Sequence, residues 1–172
     1  QMIVIPMNVK NIGEYAFAFC SNLESIVLSN QITKIENNLF ESCIKLRNVN
    51  IPQNVTEISN SAFESCRSLR RLTLPKGLIT IGNGAFINCI NLRQINIPIT
   101  TETIGKYAFH KCELLESLHL PSSLTFVGEN IITPNVNSKT IIYCEAESKP
   151  STWSENWITD SSIQVEWGVD FK

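Results

Sequence analysis

Apolar residues recur along this chain at one fixed interval. Each interval contains a run close to IxxxAFxxC, then a leucine, then a short stretch in which apolar and polar residues alternate, usually closed by a proline. Cysteines mark the interval, each 23 residues after the one before: Cys20, Cys43, Cys66, Cys89 and Cys112. Five copies at one spacing predict a repeat protein in which each copy is one structural unit.

Each repeat is expected to contain one strand and one turn of helix. The alternating stretch, such as RRLTLP at residues 70–75, predicts a short strand with one face buried, which the proline ends. The IxxxAFxxC run has helical spacing but is too short for a free helix, so a single helical or 3₁₀ turn is expected. The stretch after the proline supplies a third side, with one inward aliphatic residue such as Val55 or Leu124.

One such repeat is not expected to fold alone, because ordering its backbone costs more free energy than burying its own apolar side chains releases. Repeats therefore stack, bury their flat faces against each other and pair their strands. The sequence predicts a parallel-stranded solenoid in which Phe40, Phe63 and Phe86 lie in one buried column.

The chain is predicted to form a single domain, 1–172. Residues 1–11 match part of a repeat, residues 12–126 hold five 23-residue repeats, and residues 127–172 hold a degenerate repeat and a cap. The chain begins part-way through a repeat, so we expect it to be a fragment of a larger protein.

Some positions depart from the repeat pattern. Trp153, Trp157 and Trp167 fall where the period lapses, and we expect them to cover the last repeat as a hydrophobic lid. Thr101 occupies the position of an inward aliphatic residue, and we expect the turn to shift and bury Ile99 instead.

Composition and charge argue against some classes of function. With 43% hydrophobic and 17% charged residues, the chain suits a packed core. Fourteen basic and sixteen acidic side chains give a net charge of −2, so no overall field attracts nucleic acid or anionic lipid. No apolar run reaches the length of about 18 residues that a membrane helix needs. We therefore expect neither nucleic-acid binding nor membrane insertion of this fragment.

The sequence carries no recognisable catalytic machinery. It lacks CxxC spacing, a glycine-rich phosphate loop, HExxH and GxSxG. The cysteine ladder is expected to consist of buried, reduced thiols, because parallel Cβ vectors in successive repeats disfavour disulfides. His110 and His119 are expected to be solvated, and the sequon at Asn54 is most simply a chance match. We therefore expect no enzyme activity, no metal site and no cofactor.

The candidate binding residues are the outward positions of the predicted strands, together with a neighbouring row of arginines. Outward positions repeat as ladders at the same interval. The candidates are Arg47, Arg70, Arg71, Arg93, Asn48, Asn50, Thr73, Gln94, Asn96 and His119. Two interpretations of the arginines stay open. They could simply shield the core edge, flanked by Glu24 and Glu116, or they could bind an anion or an acidic protein.

The repeat resembles a known class. The stretch RSLRRLTLPKGLITIGNGAFINC, residues 67–89, is similar to the LxxLxIPxxVxxIGxxAFxxC pattern of the BspA-like (TpLRR) leucine-rich repeats. The end of the chain, IYCEAESKPSTWSENW followed by VEWG, resembles the closing segment of bacterial members. The resemblance implies an α/β solenoid, mostly β and irregular: a right-handed superhelix with a parallel sheet on its concave face and short helical or 3₁₀ turns on its convex side.

The same resemblance suggests a function. It implies a non-catalytic adhesion or ligand-binding module, monomeric, in a microbial cell-surface or secreted protein. Its concave strand face would recognise a protein or glycan of a host matrix or of another microbe. The alternative is a structural spacer or an intracellular protein-interaction scaffold.

Overall fold

The computed structural model of the chain describes residues 1–137 and 139–171. This part contains thirteen short strands. They are β1 (Met2–Val4), β2 (Ser25–Val27), β3 (Lys34–Ile35), β4 (Asn48–Asn50), β5 (Glu57–Ile58), β6 (Arg71–Leu72), β7 (Thr80–Ile81), β8 (Gln94–Ile95), β9 (Thr103–Ile104), β10 (Ser117–Leu120), β11 (Phe126–Val127), β12 (Ile141–Cys144) and β13 (Gln164–Glu166).

Each 23-residue repeat forms one coil of a solenoid, and strands of successive coils pair in parallel. The strands of the alternating stretches lie on one side in three groups, β1-β2-β4, β6-β8 and β10-β12-β13. Equivalent residues of neighbouring coils are paired in the sheet, as Ile26 is with Val49. The predicted parallel-stranded solenoid is therefore confirmed.

A second sheet was not predicted. Strands β3, β5, β7, β9 and β11 form one continuous parallel sheet on another side of the coils. Each ends on the leading isoleucine or valine of a repeat, and Ile58 pairs with Ile81 in the next coil. The residue assigned to the start of a helical turn is thus the end of a strand.

The third side, here called the turn side, consists of successive turns rather than the expected helical or 3₁₀ turn. No helix occurs in the described part of the chain. Ser61 and Ser65 have φ values of 52° and 58°, in the left-handed region that an α-helix cannot contain. Between them, the backbone N–H of Phe63 donates to the carbonyl oxygen of Ala85 in the next coil, at 2.8 Å. A helix would have used that donor within the coil.

These bonds on the turn side run in one direction. In each of the first four full coils, three N–H groups donate to carbonyl oxygens of the following coil, and Ser61 and Ser65 are two such donors. The coils are therefore joined by a regular backbone ladder on a side that has no regular secondary structure.

The core contains the predicted column of stacked phenylalanine rings, here called the Phe column. Its members are Phe17, Phe40, Phe63, Phe86 and Phe109. Ring centroids of neighbours lie 5.2–5.7 Å apart, and the last four residues are fully buried. Since each of the three inner rings contacts one ring above and one below, the column joins the five 23-residue coils to one another.

The cysteines pack beside this column as free thiols. The Sγ–H of Cys66 donates to the carbonyl oxygen of Phe40 in the preceding coil at 3.1 Å. The Sγ–H of Cys89 donates in the same way to the carbonyl oxygen of Phe63, also at 3.1 Å. Burial raises the pKa of the Cys89 thiol to about 12. A cysteine at this position fills a small apolar space and also satisfies a carbonyl oxygen of the neighbouring coil.

An asparagine ladder strengthens the corner between the second sheet and the turn side. The Oδ1 of Asn37 accepts the backbone N–H of Asn60 at 3.0 Å, and the Oδ1 of Asn60 accepts that of Asn83 at 2.8 Å. The coils approach closely here: a Cβ on Gly105 would lie 2.5 Å from the backbone nitrogen of Asn83.

The expectation about Thr101 was wrong. Thr101 is fully buried, whereas Ile99 is 74% exposed. The Oγ1 of Thr101 donates to the carbonyl oxygen of Leu78 at 3.1 Å, so the hydroxyl is satisfied inside the core and the turn keeps its position. Ser29, which replaces the closing proline in one repeat, is also buried and donates to the carbonyl oxygen of Met7 at 3.0 Å.

The tryptophans cover the last coil as predicted. Trp153 and Trp157 are buried, and the rings of Trp153, Trp157 and Trp167 contact one another with centroids 5.0–6.1 Å apart. The backbone of the same segment accepts hydrogen bonds from the last turn, where the N–H of Ile131 donates to the carbonyl oxygen of Trp157 at 3.0 Å. The lid therefore satisfies backbone donors as well as covering apolar surface.

Candidate binding surface

The outward side chains of the first group of strands, with the row of arginines beside them, form the surface that the sequence singled out. We call it the strand face. All ten candidate residues lie on it and are exposed: Arg47, Asn48, Asn50, Arg70, Arg71, Thr73, Arg93, Gln94, Asn96 and His119. In β6, Arg71 points outward while Leu72 is buried, which is the alternation that the sequence predicts.

Four arginines, here called the arginine group, lie in three successive coils: Arg47, Arg70, Arg71 and Arg93. The backbone N–H of Arg93 donates to the carbonyl oxygen of Arg70 at 3.0 Å, so these two positions are stacked. The four side chains, with Asn48 and Ser68, line an open groove of about 460 Å³.

Counter-charges are present at the ends of the arginine group but not in its middle. Arg93 lies 3.8 Å from Glu116, with both side chains about half exposed, so this pair contributes little. The pKa of Glu24 is lowered mainly by the N-terminal ammonium and only slightly by Arg47. No carboxylate of residues 1–137 or 139–171 forms an ion pair with Arg70 or Arg71. Flanking glutamates therefore do not neutralise the centre of the group.

Polar uncharged side chains occupy the centre of the strand face. Within the described residues, the side chains of Thr73, Gln94 and Asn96 form no hydrogen bond to the protein, and with Arg71 they line a second open groove of about 340 Å³. Asn50 differs, because its Oδ1 accepts the backbone N–H of Leu28 at 2.8 Å and so helps to hold two coils together.

Three aromatic rings lie at the C-terminal end of the strand face, and we call them the aromatic end group. The ring of His119 lies 4.9 Å from that of Tyr143 and 4.9 Å from that of Phe171. Tyr143 pairs with His119 in the sheet and continues its ladder by one coil. Sequence reasoning missed Tyr143 because it follows His119 by 24 residues, one more than the repeat.

Other chemistry is sparse on the described part of the chain. No group of three or more His, Cys, Asp or Glu residues there could hold a metal ion. His110 lies on the turn side, away from the strand face; it is partly buried rather than solvated as expected, and this burial lowers its pKa. Among these residues no helix has the length and apolar character to cross a bilayer.

Solved structures share this architecture. The leucine-rich repeat protein TpLRR of T. pallidum matches with a TM-score of 0.69 at 24% identity, over 83% of this chain and 73% of that one. A leucine-rich cell surface protein of Faecalibacterium prausnitzii matches with a TM-score of 0.64 at 25% identity, over 90% of this chain and 50% of that one. The pneumococcal vaccine antigen PcpA matches with a TM-score of 0.57 at 18% identity, over 96% of this chain and 36% of that one. This chain thus spans half or less of the last two proteins.

The sequence itself matches a family. Among curated proteins, none matches this chain. The family model described as a BspA-type leucine-rich repeat region matches in six copies, over residues 1–112 and 80–150. Those residues include the Phe column, the cysteine ladder and most of the strand face. The chain belongs to the BspA-type leucine-rich repeat family.

Proposed function

We propose that this chain is a non-catalytic recognition module that binds a protein or glycan partner through its strand face. The observation that carries the proposal is the arginine group, which is exposed and has no ion-pair partner for its two central members within the described part of the chain. Stacked like charges repel, so an acidic partner would relieve a cost that the free protein carries. Arginine forks suit such a partner because they bind carboxylate and sulfate groups through two parallel hydrogen bonds.

The proposal includes a location at a microbial surface or in a secreted protein. Its support is the similarity to the cell surface protein of F. prausnitzii and to the pneumococcal antigen.

A binding screen followed by substitution of the arginines tests this function. The intact chain is screened against immobilised matrix proteins and glycans, and each ligand found is titrated again with a triple variant in which Arg47, Arg70 and Arg93 are alanine. We expect the affinity to fall about tenfold or more, since one hydrogen bond to a charged group contributes about 1.5–3 kcal/mol. The salt dependence of binding should flatten as well.

The matched control removes the same charge elsewhere. Lys10, Lys106 and Lys111 are exposed and lie off the strand face, so their triple alanine variant should bind as the unmodified protein does. Equal affinities and equal salt dependence for the two triple variants would contradict the assignment of the strand face.

A further inference from the structure

We propose that the ligand of the strand face is an acidic glycan that lies along the axis of the solenoid with about one sugar unit per coil. This inference rests on the proposed function and names its ligand class. The groups to be recognised are the hydroxyls of the sugar rings and the sulfate or carboxylate groups that they carry.

The spacing of the coils favours a ligand that repeats. Paired parallel strands of neighbouring coils on the strand face lie about 4.7–4.9 Å apart, and the phenylalanine rings inside the same coils are 5.2–5.7 Å apart. Asn50, Thr73 and Asn96 occupy the equivalent position in three successive coils. A pyranose unit in an extended polysaccharide advances by a similar distance. An extended peptide advances about 3.3 Å per residue and alternates its side chains, so it would drift out of register.

The side chains match a glycan in their chemistry. Gln94 and Asn96 each offer donors and an acceptor, and their side chains make no hydrogen bond within the described residues, so sugar hydroxyls can pair with both groups. Beside them, Arg70 and Arg71 provide bidentate sites for an acidic substituent. The aromatic end group offers ring faces and edges against which the C–H side of a sugar can pack.

A protein partner fits this surface less well. The centres of protein interfaces are usually built around buried apolar anchors. On the strand face of the described chain, the exposed large apolar residues are Met2 and Val4, both in β1 at the N-terminal end. The centre around Thr73 and Asn96 has none.

Four soluble probes distinguish these partners in titration calorimetry with the intact chain. They are a heparin oligosaccharide (sulfate and carboxylate), a hyaluronan oligosaccharide (carboxylate), a dextran oligosaccharide (neutral) and a poly-glutamate peptide matched to the heparin probe in net charge. We expect heparin or hyaluronan to bind at least about tenfold more tightly than poly-glutamate at physiological salt, and dextran to bind more weakly than either. Whichever acidic glycan binds better identifies the acidic group that is recognised.

Two variants separate charge from sugar recognition. Arg70→Gln with Arg71→Gln should weaken glycan binding about tenfold and reduce its salt dependence, with Lys106→Gln and Lys111→Gln together as the charge-matched control. Thr73→Val with Asn96→Ala should weaken glycan binding severalfold and leave the salt dependence unchanged, because no charge is removed. Thermal unfolding of each variant checks that the solenoid is intact.

The outcomes are distinct from those of the functional screen. Poly-glutamate binding as tight as that of the acidic glycans would overturn the inference, since charge alone would then explain it. The inference would also be overturned if neither acidic glycan bound while a matrix protein bound and lost affinity in the triple arginine variant. The proposed function would then stand. If no probe or matrix protein binds, both proposals fail.

Discussion

The turn side and the strand face belong to the same coils but differ in how they are held together. On the turn side, backbone hydrogen bonds, the Phe column and the thiols repeat from coil to coil with little change. On the strand face, the sheet is interrupted between β4 and β6 and between β8 and β10, and the outward residues vary along the solenoid, as Asn50, Thr73 and His119 do at one position. The comparison indicates that the interior and the turn side supply the more regular contacts between coils, which leaves most outward side chains of the strand face free for binding.

The largest effect is expected in the Phe column. Phe63→Ala should lower the free energy of unfolding by about 3–5 kcal/mol, because it leaves a cavity between two buried rings. Urea unfolding measures the change. Phe19→Ala is the control, since that ring is 66% exposed and its loss should cost no more than about 0.5 kcal/mol. Similar losses in both variants would mean that the column does not join the coils.

The buried thiols should make stability depend on alkaline pH. The pKa of Cys89 is raised from 9.0 to about 12 by burial, so above pH 9 the unfolded chain loses a proton that the folded chain retains. Stability should therefore be complete below pH 9 and fall as pH rises toward 12. Cys89→Ala should make this decline shallower by up to about 1.4 kcal/mol per pH unit.

The measurement is urea unfolding of the unmodified protein and of Cys89→Ala at pH 7, 9 and 10. Comparing slopes rather than single values cancels the loss of packing that the alanine causes at every pH. Leu92→Ala is the control, because it removes a buried side chain of the same coil but no titratable group, and it should leave the slope unchanged. Parallel pH profiles for the unmodified protein and Cys89→Ala would contradict the argument.

The smallest effect on stability is expected from substitutions of two exposed asparagines, one on each side of the comparison. Asn60→Ala removes the Oδ1 that accepts the backbone N–H of Asn83 and should cost about 1 kcal/mol. Asn48→Ala, on the strand face, removes no side-chain hydrogen bond that the described structure contains and should change stability by less than about 0.5 kcal/mol. In the binding assay the order should reverse, with Asn48→Ala the weaker binder. If both variants lose stability equally, the two sides are not divided as we describe.

The sequence was sufficient to predict the solenoid because its period is strict. Once every coil has the same length, the column around Phe63 and the pairing of Ile26 with Val49 follow from stacking alone. Seven of the ten candidates lie at alternate positions in or beside the strands, and alternation decides which of those side chains point outward. Arg47, Arg70 and Arg93 directly precede β4, β6 and β8, so they were placed by the repeat and not by alternation.

The turn side was harder to predict because its hydrogen bonds connect different coils. Apolar residues at helical spacing suggested a helical turn, but the left-handed φ values of Ser61 and Ser65 prevent one. A signal was present: Gly84 occupies the position equivalent to Ser61, and glycine is the residue that best tolerates a positive φ. Phe171 could not be found from the repeat, because it lies in the closing segment, where the period has ended.

The one-way hydrogen bonds of the turn side give the solenoid a polarity. On this side, each coil presents donors toward the C-terminal end and acceptors toward the N-terminal end, as Phe63 and Ala85 illustrate. The tryptophan segment fits the C-terminal end because its backbone offers acceptors, as Trp157 does to Ile131. On the turn side, a cover for the opposite end would have to offer donors instead. The two ends of such a stack are therefore not interchangeable, and a chimera that moved this lid to the front would leave the acceptors there unmatched.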